Sequence, residues 1–258
     1  MTTFKTQEDC LMKGLNGLTF GIEREYWITD REGVIVPEAP LVLPQLVHGH
    51  RGQFKYELSA CQIETNCGPL TYTSVSQIIP AQRRLEDAIR RVLEVYNLKL
   101  DLRPVADEDM PLDVYPDPTG RYAKIASGMP ETILKAACRI IGTHIHIGMP
   151  DLETALRVYN RVITECDALI HLGDKSGGER LRLYKMVKPD CMPTPYDSVA
   201  HFKTCAEENG YGEDLRNCWH LIRVTRFPTV EFRLFDATES LEELISWVKY
   251  CANLCLDI

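Results

Sequence analysis

Between 18 and 28 the chain alternates, with Ile22, Tyr26 and Ile28 on one side and Glu23, Glu25 and Trp27 on the other, which predicts a strand. A second extended segment is predicted from about 54 to 66, bent or split, ending at the turn signal Cys67-Gly68-Pro69. Pro80 suits a first helical position, and Leu85, Ala88, Ile89, Val92, Leu93 and Tyr96 then recur at helical spacing before a short strand over 98–102. Pro104, Pro111, Pro116, Pro118, Gly120 and several aspartates mark 103–128 as a long ordered loop, the kind that tends to carry function. A helix over 131–139, a strand over 142–149 and a helix capped by Asp151 and running to about 172 follow. The remainder reads as an irregular stretch over 173–195, a helix over 198–208, a strand over 229–236 and a terminal helix from about 240.

The same alternation returns in the later strands, where His144 and His146 interleave with Ile145 and Ile147, and Glu231 and Arg233 with Val230, Phe232 and Leu234. The ordinary reading is an antiparallel sheet with its polar face in water. The type of polar residue changes that picture. Carboxylates two apart on one strand repel unless something positive lies between them, and exposed strands favour Thr, Lys or Ser. With Glu57 and Glu64 from the second segment, the face collects five glutamates, two histidines and one arginine. Such an oxygen-rich set suits a hard cation, Mg²⁺ or Mn²⁺, and these ions commonly arrive with phosphates. His144-Ile145-His146 could equally give two ligands to a hydrolytic zinc, but the third histidine has no evident source. His48, His50, His171, His201 and His220 read as surface or satisfied core residues.

With 258 residues and 45% hydrophobic content, the chain can bury one large core, and 1–258 is read as a single domain. A net charge of -8 without a dense Lys/Arg run gives no nucleic-acid or anionic-membrane footprint. Residues 1–16 mix charges with Leu11 and Met12 and lack the apolar core of a signal peptide, and no stretch is apolar enough to span a bilayer. The ten cysteines form no C-x-x-C pair, and Cys251 with Cys255 is an i, i+4 spacing in an apolar helical pattern, so buried free thiols in a reduced, cytoplasmic chain are expected.

Four segments together resemble a known family. Gly21-Ile22-Glu23-Arg24-Glu25-Tyr26, then Glu57 with Gln62-Ile63-Glu64-Thr65-Asn66, then Gly142-Thr143-His144-Ile145-His146-Ile147-Gly148, then Pro228-Thr229-Val230-Glu231-Phe232-Arg233 are similar to the successive motifs of the glutamate-cysteine ligase type 2, or carboxylate-amine ligase, family. The resemblance implies a glutamine-synthetase-like α+β fold: a curved, mostly antiparallel sheet flanked by helices, with ATP and Mg²⁺ on its concave face. It implies metal-ligand roles for Glu23, Glu25, Glu57, Glu64, His144 and Glu231, a phosphate contact for Arg233, which with Glu231 would carry catalysis, and a substrate contact for His146. The stretch from Gly173 to Arg182 is similar to a family loop whose arginine approaches substrate, making Arg182, with Lys185, candidates for ATP or substrate carboxylate binding. The implied reaction joins a small-molecule carboxylate to an amine through an acyl phosphate. The alternatives are a guanidino-group phosphotransferase, on a related catalytic fold, and a non-catalytic nucleotide-binding homologue. The family's Ser-rich aromatic segment before that loop is absent and the chain is shorter than typical members, so neither substrate is named and a homo-oligomer is left open.

Overall fold

The alternating segments become the inner strands of one sheet. The computed structural model describes residues 18–47, 52–71 and 77–256. Residues 1–16, His48 and His50, read above from sequence, lie outside the described residues. Strands β1 (Thr19–Thr29), β2 (Phe54–Tyr56), β3 (Gln62–Thr71), β4 (Lys99–Asp101), β5 (Gly142–Gly148), β6 (Ile222–Val224) and β7 (Thr229–Asp236) join in the order β2-β3-β1-β5-β7-β6, with β4 on the far end of β1. All the ladders are antiparallel.

Helices α1 (Ala39–Val47), α2 (Ile78–Val95), α3 (Arg121–Ser127), α4 (Glu131–Cys138), α5 (Leu152–Val162), α6 (Cys166–Gly173), α7 (Glu179–Val187), α8 (Val199–Glu208) and α9 (Leu241–Leu256) flank this sheet. One apolar cluster packs Ile22, Ile145, Ile147, Val230 and Phe232 against α5 and α9, including Tyr159 and Trp247. A second packs Tyr26, Ile28 and Ile63 against α1 and α2, through Val42, Leu85 and Ile89. Apolar burial on one face of the strands therefore commits their other residues to the opposite face. No described helix is long and apolar enough to cross a membrane.

The departures from the sequence reading have local causes. Cys67-Gly68-Pro69 does not end the second segment but lies inside β3, at an irregularity in the β1–β3 register between Phe20 and Ile22. A Cβ on Gly68 would come within 2.8 Å of the Gly21 Cα, so a side chain is excluded by the close approach of two backbones. Proline is tolerated there because β2 pairs with β3 only as far as Thr65. Pro80 is the third residue of α2 rather than the first. Asp151 caps α5 as expected, its Oδ1 accepting from Thr154 N at 2.7 Å, but the helix is broken at Ile163–Glu165 by a 3₁₀ turn before α6. The stretch over 173–195 contains α7, whose buried side includes Arg180 beside Leu183 and Tyr184, so its period is masked by a charged residue facing inward.

Candidate functional site

Strand register sets the charged residues side by side. Glu25 stands opposite Glu64, Glu23 opposite both Asn66 and His144, and His146 opposite Glu231. The outer strands add cations, for Lys55 on β2 faces Glu64 and Arg223 on β6 faces Glu231. Like charges directly across a ladder are destabilising, so the Glu25–Glu64 pair is maintained against a cost. Arg24, between Glu23 and Glu25, points to the other face, fully buried, where it pairs with Glu86 of α2 and donates to the Thr238 carbonyl at 2.6 Å.

Three groups of side chains have ligand atoms within 4.8 Å of one another: Glu25, Glu57 and Glu64; Glu23, Glu64 and His144; and Glu23, His146 and Glu231. Lys55 Nζ lies 2.9 Å from Glu23 Oε1 and 2.9 Å from Glu64 Oε1. Arg223 forks onto Glu231 at 2.6 and 2.9 Å, and Arg233 Nη1 donates to Glu231 Oε1 at 2.7 Å. Glu25 Oε2 accepts from Gly142 N at 2.6 Å, and Glu57 Oε2 receives the Tyr122 hydroxyl at 3.5 Å. His146 Nε2 is 3.4 Å from Glu23 Oε2.

Titration behaviour follows from these neighbours. Burial pushes the Glu57 carboxyl well up, and Glu64 and Glu25 push it further. Burial also raises Glu25, against the lowering effect of Arg180 and Arg233, and raises Glu64, where Glu23 adds to it and Lys55 opposes. Burial acts the same way on Glu23, but His144, His146 and Lys55 outweigh it and hold that carboxyl well below its usual range. Burial of Glu231 is likewise overcome, by Arg223, His146 and Arg233. Burial and Arg233 bring His144 down to about 4, whereas Glu231 and Glu23 raise His146 despite its burial.

The residues fit a hard divalent cation. His144 is only 4% exposed, its Nδ1 has no hydrogen-bond partner, and that atom lies 3.5 Å from Glu23 Oε2. A buried ring nitrogen beside a carboxylate, left without a hydrogen-bond partner, fits a metal-ligand position. The donor groups are mainly carboxylates, with one histidine in each of two groups, a set suited to Mg²⁺ or Mn²⁺ rather than to a three-histidine zinc.

The sequence candidates thus divide. Glu23, Glu25, Glu57, Glu64, His144, His146, Glu231 and Arg233 converge on the sheet face. Arg182 does not join them; it is exposed on α7 and pairs with Glu179 at 2.6 Å. Lys185 is also exposed on α7, and the groups on which its charge acts are the Cys166 and Cys191 thiols. The arginine of α7 that reaches the site is Arg180, 3% exposed, which bonds the Arg233 carbonyl at 3.2 Å and lies 3.7 Å from Asp236. Lys55, Arg180 and Arg223 were not anticipated. Arg223 sits on a three-residue strand, too short for a pattern to be read, while Lys55 lies in the segment expected over 54–66.

No family model matches the chain. A curated protein of Rhodopirellula baltica, provisionally named glutamate–cysteine ligase 2, is 25% identical over 256 residues, covering 89% of this chain and 66% of its own length. One of the same name from Rhodospirillum rubrum is 26% identical over 251 residues, covering 88% and 62%. The resemblance carried by the four motifs is borne out by these relatives, of which the chain spans between 62% and 66% of the length. Among solved structures, a bifunctional glutathione synthetase from Pasteurella multocida matches with a TM-score of 0.65 at 15% identity, over 97% of this chain and 39% of that one. Plasmodium falciparum glutamine synthetase matches with a TM-score of 0.52 at 12% identity, over 96% and 53%. These likenesses establish the expected α+β fold, a mostly antiparallel sheet flanked by helices.

Proposed function

We propose that the chain carries the catalytic face of an ATP-dependent ligase that joins a carboxylate to an amine. The observation that supports this best is the grouping of Glu25, Glu57 and Glu64, three carboxylates whose oxygens lie within 4.8 Å of one another on a strand face where repulsion serves no purpose without a cation. The names of the curated relatives supply the reaction class.

In this reading the Mg²⁺ or Mn²⁺ ligands are drawn from Glu23, Glu25, Glu57, Glu64, His144 and Glu231, with Glu25, Glu57 and Glu64 as the chief seat, and Arg233 is the contact for the transferred phosphate. Bound ions would supply charge neutralisation on the phosphate oxygens. Arg233 is preorganised for its part, since its Nη1 is tied to Glu231 Oε1 at 2.7 Å while its Nε has no partner. A carboxylate is a poor electrophile, so the substrate oxygen would first attack the γ-phosphorus of ATP and release ADP. The amine nitrogen would then attack the acyl carbon of that acyl phosphate and release inorganic phosphate. His146, side chain 20% exposed between Glu23 and Glu231, is the candidate substrate contact.

Hydroxylamine trapping tests the reading. Given ATP, Mg²⁺ and the right carboxylate, found by screening amino acids and dipeptides, the protein should form a hydroxamate with matching ADP in the absence of the natural amine. Acid-labile phosphate on a guanidino substrate without hydroxamate would make it a phosphotransferase. Tight ATP binding with neither product would make it a binding module.

A further inference from the structure

The three ligand groups on the sheet face differ in what already neutralises them. In the group of Glu23, His146 and Glu231, two guanidinium groups clasp Glu231. In the group of Glu23, Glu64 and His144, the Lys55 ammonium sits 2.9 Å from an oxygen of each glutamate, and Asn66 Nδ2 also donates to the same Glu23 oxygen at 2.9 Å. In the group of Glu25, Glu57 and Glu64, among the described residues, only Glu64 is ion-paired with a lysine or arginine, a charge it shares with Glu23, while Arg180 and Arg233 act on Glu25 from farther off.

We propose that Lys55 is a built-in cation: its ammonium fills the seat between Glu23 and Glu64 that a divalent ion would otherwise take. The inference rests on the reading of this face as a metal site. Charge supports it: the ion pairs of Lys55, Arg223 and Arg233 go to Glu23, Glu64 and Glu231, which leaves Glu25 and Glu57 without a lysine or arginine ion pair among the described residues, and one divalent ion at Glu25, Glu57 and Glu64 would neutralise them. Arg180, whose charge is felt at Glu25, has its own counter-ion in Asp236 at 3.7 Å. Geometry supports it as well. The β2–β3 register sets Lys55 opposite Glu64, and the ammonium reaches across to Glu23 on the next strand, spanning two of the three ligands of one seat. A tethered ammonium gives up less translational freedom there than a free ion does.

The test counts ions and needs no turnover. Nucleotide-free protein is titrated with Mn²⁺, and bound equivalents are read by equilibrium dialysis and by the loss of the free-ion paramagnetic resonance signal. Lys55→Met should bind one more equivalent than the wild type, and Lys55→Arg, which keeps the charge, should not. With its side chain 44% exposed, Lys55 can be replaced without opening the core, and Lys55→Gln serves as the second variant should the methionine protein not fold. An unchanged count overturns the proposal, even if the remaining ion binds more tightly, because loss of a nearby positive charge would do that alone. The wild-type count judges the function reading separately: no ion in the wild type but one in Lys55→Met would keep Lys55 in its seat while removing the Glu25, Glu57 and Glu64 site.

Discussion

Arg180 holds the main chain of Arg233, its Nη2 donating to the Arg233 carbonyl oxygen at 3.2 Å. The need for that bond comes from the ladder. Between Thr143 and Ile145 on β5, strand β7 carries one extra residue between Phe232 and Phe235, and a bulge of this kind leaves backbone groups without ladder partners while re-aiming side chains. The Arg233 N–H is taken by the Leu221 carbonyl at 2.8 Å, and its own carbonyl by Arg180. The guanidinium passes so close to Gly142 that a Cβ there would lie 2.2 Å from Arg180 Nη2, and the Gly142 N–H in turn holds Glu25. One buried arginine thus supports both Arg233 and the strand segment that orients Glu25.

Replacing Arg180 with Met should therefore cost about 3 kcal/mol of stability, since it leaves Asp236 and the Arg233 carbonyl buried without their partner. Arg182→Ala, two positions on, should leave the melting temperature unchanged, because among the described residues Arg182 bonds only Glu179 and Met186, at the surface. Thermal melts of the two variants check the contrast, and equal melting temperatures would remove Arg180 from this role.

Glu57 should show the opposite sign. Its folded-state pKa is raised well above the ordinary carboxylate value by burial, then by Glu64 and Glu25, so in the metal-free protein the native state holds a proton that the unfolded chain has lost. Stability from this group falls as pH rises. Raised His146 acts in the same direction above its ordinary 6.5, while His144, lowered to about 4, contributes fully there. Glu57→Gln should then stabilise metal-free protein at pH 8, by on the order of 1 kcal/mol, and weaken Mn²⁺ binding. Denaturant melts in a chelator, beside Mn²⁺ titrations, read both effects.

How far the sequence was legible depends on strand length and on which side chains turn inward. Strands β1, β5 and β7 were readable because each packs apolar residues such as Ile22, Ile145 and Phe232 on one face, which forces Glu23, His144 and Glu231 to the other. Strand β6, three residues long, has no period to read, which concealed Arg223, whereas Lys55 lies in the extended segment expected over 54–66 and no role was assigned to it there. Arg180 was hidden for another reason: it lies on the inner side of α7, where a charged residue breaks the apolar spacing that identifies a helix. Arg24 could have been found, since the period of two places it with Ile22 and Tyr26 on the core face, where an arginine requires an acid from another element and meets Glu86. Helix α1 was obscured by Pro40 and Pro44, both of which lie within it.

The cysteines should be inert in the native protein. Of those described, all but Cys205 are buried. Burial pushes the Cys61 thiol up to about 11 and those of Cys138, Cys166 and Cys255 to about 12, so almost no thiolate exists at neutral pH. Titration with an aromatic disulfide should leave these four unmodified in folded protein and modify them on unfolding. Rapid labelling of any of them in the native state, mapped by mass spectrometry, would contradict the packing.

Proton release on metal binding is the last expected consequence, and its sign follows from the same neighbours. Glu25, Glu57 and Glu64 all have raised pKa values in the metal-free protein, with burial the largest cause in each. Every one of these groups must be without its proton to face a cation, so binding should expel protons and affinity should increase with pH. Each proton released makes affinity rise about tenfold per pH unit while that group is still protonated. Glu23 and Glu231 contribute nothing to this slope near neutrality, since both are held below their ordinary range by histidine, lysine and arginine neighbours. Calorimetric titration with Mn²⁺ at pH 6 in two buffers of different ionisation enthalpy measures the release directly. Apparent binding enthalpies should differ between the buffers at pH 6, the difference should shrink as pH rises, and the Glu57→Gln protein, lacking the most strongly raised carboxyl, should release fewer protons. Identical enthalpies in both buffers at pH 6 would mean that the carboxylates are already ionised without metal, and that Lys55 and the arginines neutralise this face more completely than their positions imply.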